Sequence, residues 1–171
     1  SNRLEGLEVG PIHADLTATE GVNLIHAKRL AENAKASFIG PQKNGPFDVS
    51  LEEAVRWLNL PNPHGISNAE VVTPTWNGLD ITRRPRDVWV IDFGTMSENE
   101  ASLFETPFDY VTKNVKPERI KNRRQVRAEN WWLFGEPAPK LNAALQTVSR
   151  YIATSAVSKH RIFVWLPSAV S

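Results

Sequence analysis

Apolar residues recur at helical spacing in several stretches and crowd into two short runs, a pattern that predicts a mixed fold. Leu51, Ala54, Val55 and Leu58 follow Ser50 at three- and four-residue intervals, and Ser50 with Glu53 makes a capping-box pair at the start of that helix. Pro61 and Pro63 stop it. Ser97 with Glu100 is a second capping-box pair, and Thr106-Pro107 opens a third helix with proline at its first position. Phe108, Val111 and Val115 share one face of that helix, and Leu141, Ala144, Leu145 and Val148 mark another, entered after Pro139. Residues 87–93, with β-branched and aromatic side chains on both faces, predict a central strand, and residues 160–166 predict a last strand stopped by Pro167. A sheet containing 88–93 and 161–166 is expected, with Trp89, Ile91, Phe163 and Trp165 largely buried.

The first 46 residues are loosely patterned, with a short helix expected within 24–33 and a strand at 37–40. Helices and strands mix without a regular β-α alternation. The expected fold class is therefore α+β: a single domain with a mixed, mostly antiparallel sheet flanked by helices, spanning 47–171. Residues 1–46 read as an N-terminal connecting segment packed on it. There is no internal repeat and no low-complexity tract.

Composition narrows the possibilities. Hydrophobic residues make up 41% and charged residues 23% of the 171, a folding composition. No apolar run approaches the roughly 18 residues of a membrane span, and the N-terminus lacks a basic-then-apolar signal segment, so the expected compartment is the cytoplasm. With no cysteine, disulfides, zinc thiolates and a cysteine nucleophile are excluded. The net charge is only +1, but residues 113–127 hold seven basic residues and one acid, so +6 sits in that segment and −5 on the rest. Such polarity attracts polyanions.

Several chemistries lack their residues. Gly40 and Gly45 have P-loop spacing, but Pro46-Phe47 stands where Lys and Ser or Thr belong. No Gly-x-Gly occurs, and His13, His26, His64 and His160 lie far apart. No lysine has an acid two residues before it, as metal-dependent nucleases often do. Asn62-Pro63-His64-Gly65 approaches the Asn-Pro-Pro-aromatic loop of amino-methyltransferases, but without the second proline and the aromatic it reads as a turn. No catalytic residue, cofactor site or metal site is expected in this chain.

Three basic clusters remain: Arg83, Arg84 and Arg86; the 113–127 segment; and Lys159, His160 and Arg161. Lys116, Arg119, Arg123 and Arg127 have the spacing of one helix face, and Trp131-Trp132 follow directly. Basic segments bind phosphates, and arginine also reads guanine edges. A solvated basic face is the competing explanation. Arg83, Arg84 and Arg86 could equally pair with Asp80, Asp87 or Asp92, Trp131 and Trp132 fit a core, and Asn77-Gly78 with Asp80 suggests a turn.

Four stretches carry a resemblance: GPIHADLTA from Gly10, VTPTWNGLDITRRPR followed by DVWVIDFG from Val72, VKPERIKNRRQVRAENWWL from Val115, and RYIATSAVSKHRIFVWL from Arg150. In this order they resemble the target-recognition region of type II restriction-modification DNA methyltransferases, the large single-chain MmeI-like enzymes and their solitary methyltransferase relatives. The resemblance implies a parent enzyme that methylates the exocyclic amino group of adenine in duplex DNA, with S-adenosylmethionine bound in a separate methyltransferase domain. It implies that this chain is the DNA-recognition module, without methyl-transfer activity of its own, and stops before the end of the family's specificity region. Its partners would be double-stranded DNA and the parent's methyltransferase domain, with no membrane. Candidate DNA contacts are Arg119, Lys121, Asn122, Arg123, Arg124 and Arg127, then Lys159, His160 and Arg161, then Arg83, Arg84 and Arg86. A protein-interaction module within a larger DNA-processing protein, using Trp131, Trp132 and the basic face, is the alternative. A nuclease or hydrolase fragment is disfavoured by the missing metal ligands.

Overall fold

Val90 and Ile91 are completely buried, so both faces of the strand they share are covered, as its unbroken apolar sequence requires. The computed structural model describes residues 2–12, 28, 30–33 and 36–170, in two units, Ser1–Phe38 and Ile39–Ser171. In the first unit, strands β1 (Asn2–Leu4) and β2 (Leu7–Val9) pair antiparallel. Glu5 and Gly6 join them with φ of 50° and 83°, the left-handed pair of a two-residue hairpin turn. The helix expected within 24–33 lies largely outside the described residues, and its described end is a single 3-10 turn, Ala31–Asn33.

The second unit is built on a three-stranded antiparallel sheet in the order β3 (Asp48–Val49), β5 (Trp89–Ile91), β4 (Val72–Pro74). Val49 lies opposite Trp89, and Thr73 opposite Val90. Helix α1 (Leu51–Leu58) begins at Ser50, whose side chain accepts from the Glu53 amide. The short helix α2 (Gly78–Thr82) is capped by Asn77. Helix α3 (Glu98–Ser102) follows Ser97 with a complete capping box, and α4 (Glu105–Asn114) comes next. Short helices α5 (Lys116–Arg119) and α6 (Gln125–Glu129) precede α7 (Pro139–Leu145). Strands β6 (Arg150–Thr154) and β7 (Phe163–Pro167) form a separate antiparallel hairpin. The fold is α+β, with antiparallel pairing and flanking helices, as expected.

One continuous core joins the sheet to the helices. Phe47, Val71 and Phe93 pack with Trp57, Phe104, Val111 and Val115, and Trp131, Trp132 and Phe134 close it. Aromatic edges make many of the contacts: Phe47 meets Phe134 at 5.0 Å between ring centres, and Trp131 meets Trp132 at 5.8 Å. The Trp132 indole N–H donates to the Met96 carbonyl at 2.9 Å, so its polar edge is satisfied inside. The tryptophan pair is therefore core, which removes it from any interaction surface.

Several expectations are corrected. The strands at 89–91 and 163–167 belong to different sheets. Phe163 and Trp165 are exposed, because only the alternate positions of β7 face inward; Trp89 is half-buried and Ile91 fully buried. Residues 37–40 form no strand: Ile39 is exposed, and the nearest ladder contact is the isolated bridge between Gln42 and Glu136. Pro107 is the third residue of α4, not the first, and Val148 lies beyond the end of α7. Asn77-Gly78 starts a helix where a turn was expected, since Asn77 and Asp80 cap each other's backbone.

Candidate nucleic-acid interface

The 113–127 segment is not one helix, so its basic residues do not share one face. Pro117 has no amide to continue the ladder of α4, and the chain breaks into α4 and α5 at Val115. Residues 120–124 then form turns, held by the Asn122 side chain accepting from the Arg124 amide at 3.0 Å, before α6 begins.

The cations of this segment part company accordingly. Arg119 is only 2% exposed. Its guanidinium donates to the carbonyls of Asn44 at 3.1 Å and Leu133 at 3.0 Å, with longer contacts to Lys43 and Asn130. No carboxylate faces it among the described residues, its Nε is buried without a partner, and burial lowers its pKa. Arg119 is a buried brace, and the expectation that it touches DNA is corrected on that ground. Arg127 is half-buried and donates to Glu136 at 2.9 Å, while Arg124 lies 3.9 Å from the same carboxylate and stays exposed. Lys116 is stacked over the Trp131 ring at 4.3 Å. Lys121 and Arg123 are exposed, and Asn122 between them is half-buried.

The second cluster is carried by the loop after α2. Asp80 is buried and anchors it: the carboxylate accepts from the Asn77 and Arg86 amides and, at 2.9 Å each, from Nε and Nη2 of Arg86. The bidentate Arg86 guanidinium holds the Asp80 carboxyl down at about 2. Arg86 is thus committed to the fold through Asp80, while Arg83 and Arg84 stay exposed. The third cluster lies in the loop between β6 and β7, where Lys159, His160 and Arg161 are all exposed. Arg161 donates to the Ser155 and Ala156 carbonyls and shapes the loop. The elements that lead into the second and third clusters touch: α2 packs beside β6, and a Cβ at Gly78 would come within 2.5 Å of the Ser155 hydroxyl.

Among the described residues, Arg83, Arg84, Lys121, Arg123 and Lys159 make no side-chain ion pair or hydrogen bond. Arg150, outside the expected set, is a further exposed cation, lying 4.4 Å over the Trp165 ring. The sign in the sequence is the absence of acids: residues 137–171 contain no Asp or Glu but four Lys or Arg.

Asn62, in the expected turn, is tied to the backbone at both ends of its amide, donating to the Leu103 carbonyl and accepting from the His64 amide. No group of three His, Asp or Glu that could hold a metal ion occurs among the described residues, and no described helix is long and apolar enough to cross a membrane. No family model, curated protein or solved structure matches the chain.

Proposed function

We propose that this chain is the duplex-DNA recognition module of an S-adenosylmethionine-dependent DNA adenine methyltransferase in a restriction-modification or phage-defence system. The observation that carries the DNA-binding part is the set of five exposed cations without an internal partner, displayed on three loops whose backbones are pinned by Asp80, Asn122 and Arg161. Cations spent on no internal pair are free to displace counterions from phosphates, and pinned loops lose little freedom when they do so. The methyltransferase part rests on the resemblance. Three of its four stretches coincide with these loops and the elements beside them: β4 to β5, α5 to Trp132, and the β6–β7 hairpin.

In this reading Arg83, Arg84, Lys121, Arg123 and Lys159 hold phosphates, with Arg124 and Arg161 as weaker contributors because each is already engaged. Asn122 and His160, the members of the expected set other than Lys and Arg, can address base edges. The cofactor and the target adenine belong to the parent's catalytic domain, and S-adenosylmethionine supplies the methyl group there.

The test is binding to duplex DNA by fluorescence anisotropy at low salt. Lys121→Glu with Arg123→Glu, and Arg83→Glu with Arg84→Glu, should each melt as the unmodified chain does and lower affinity at least about tenfold. Folded variants that bind duplex DNA as well as the unmodified chain would overturn the proposal. A protein-interaction module is the second reading, favoured by the apolar exposed face of the β6–β7 hairpin.

A further inference from the structure

The β6–β7 hairpin keeps one face for the fold and leaves the other bare. Its register sets Ile152 opposite Trp165, Thr154 opposite Phe163 and Arg150 opposite Pro167. All six are exposed, while Leu166, on the other face, is buried and the Tyr151 hydroxyl there donates to the Val170 carbonyl at 2.9 Å. Ile152, Phe163 and Trp165 are 56%, 66% and 58% exposed. Single exposed apolar residues are ordinary, but three adjoining ones on one face of a hairpin mark a binding surface. Cations stand at both ends of it: Arg150 at one, Lys159 and Arg161 in the connecting loop at the other. No acid occurs from 137 to 171.

We infer that this face is a stacking platform for an unpaired strand of nucleic acid. The inference rests on the nucleic-acid reading above, but it adds the apolar face of the hairpin, which that reading leaves unused, and a different state of the ligand. Four features select this occupant. Aromatic rings flanked by cations are what base-stacking surfaces combine, since every base offers a π-face and every nucleotide a phosphate. Phe163 and Trp165 are two residues apart on one strand, roughly 6.6–6.8 Å, about twice the 3.4 Å rise per nucleotide of a duplex strand. Neighbouring bases still stacked in a duplex cannot meet both rings; bases drawn apart can. The Arg150 guanidinium already covers one face of the Trp165 ring, so a base stacks on that charged plane or on the part of the ring left exposed. A hairpin whose own segment carries no acid and has cations at each end is complementary to a polyanion, a property that an apolar protein patch does not require.

The experiment compares a labelled oligothymidylate with a blunt duplex of mixed sequence, using the unmodified chain, Phe163→Leu and Trp165→Leu. Leucine keeps the face apolar but removes the π-surface. Each variant should lose at least about fivefold in oligothymidylate affinity and keep the duplex affinity and melting temperature of the unmodified chain. In parallel, 5-iododeoxyuridine placed in the oligonucleotide should photocrosslink to Trp165 or Phe163 of the unmodified chain, a readout that does not depend on any variant folding. Duplex binding with undiminished oligothymidylate affinity in both variants, or crosslinks only elsewhere, would overturn the platform and leave the duplex reading standing. Binding to neither probe would overturn both. A chain that sediments as a dimer, with leucine variants that are monomers, would show the face to be a contact between copies and would also overturn the inference.

Discussion

Arg119 shows how a charge can be prominent in a sequence and absent from the surface. Its guanidinium lies among backbone carbonyls from two segments, 43–44 and 130–133, and so fixes the chain before β3 against the chain after α6. Neutral dipoles replace a counter-ion here, and hydrogen bonds to a charged group are each worth about 1.5–3 kcal/mol net. Arg119→Met would leave the carbonyls unmatched, and the expected loss is about 3 kcal/mol or more of unfolding free energy. Arg119→Lys should recover only part of it, because an ammonium cannot reach donors on both sides. Urea denaturation followed by tryptophan fluorescence checks both; a loss under about 1 kcal/mol for Arg119→Met would mean the brace is dispensable. Charge reversal of Arg119, Arg123 and Arg127 together, which the helical spacing invites, would confuse unfolding with lost binding, since only Arg123 of the three is free and exposed.

At the scale of elements, α2 and its following loop act as one pinned unit. Asp80 caps the helix through the Asn77 amide and grips Arg86 through both guanidinium donors, so Arg83 and Arg84 project from a short fixed span. The folded carboxyl, held at about 2 against an ordinary 3.8, is depressed mainly by the Arg86 hydrogen bonds. A depressed carboxyl stabilises the fold fully above the ordinary value and loses that contribution as pH falls through about 2. The shift is worth roughly 1–2 kcal/mol once solvent screening of the half-exposed Arg86 is allowed for. Asp80→Asn should therefore lower the melting temperature at neutral pH and flatten its fall between 3.8 and about 2. Parallel acid-melting curves for the two proteins would contradict this.

The elements also show what a sequence displays and what it conceals. Ser50 and Ser97 announce their helices because a cap is a local exchange between side chain and backbone, complete within four residues. The strand at 89–91 announces itself by unbroken apolarity. The last strand misleads, because "apolar" does not say which sheet covers it: alternation in β7 buries Leu166 and exposes Phe163 and Trp165, and only the partner strand decides which side is dry. The basic segment misleads differently. Spacing at three and four is a helix face only while the helix lasts, and Pro117 and Asn122, both visible in the sequence, end it. The burial of Arg119 depends on carbonyls far away in sequence and has no local sign.

At the scale of the molecule, the charge of the three basic clusters sorts itself by whether folding uses it. Arg86, Arg119 and Arg127 are spent on Asp80, on carbonyls and on Glu136, whereas Arg83, Arg84, Lys121, Arg123 and Lys159 remain on pinned loops. The central claim is that these five, and not the helical segment as a block, bind DNA phosphates. The salt dependence of duplex binding tests it most directly. Each phosphate neutralised contributes roughly 0.9 to the slope of log affinity against log salt, so five available cations predict a slope of roughly −3 to −5. Lys121→Gln with Arg123→Gln should reduce its magnitude by roughly 1–2, with melting unchanged. A slope near zero, or one that these substitutions leave unaltered, would contradict the account.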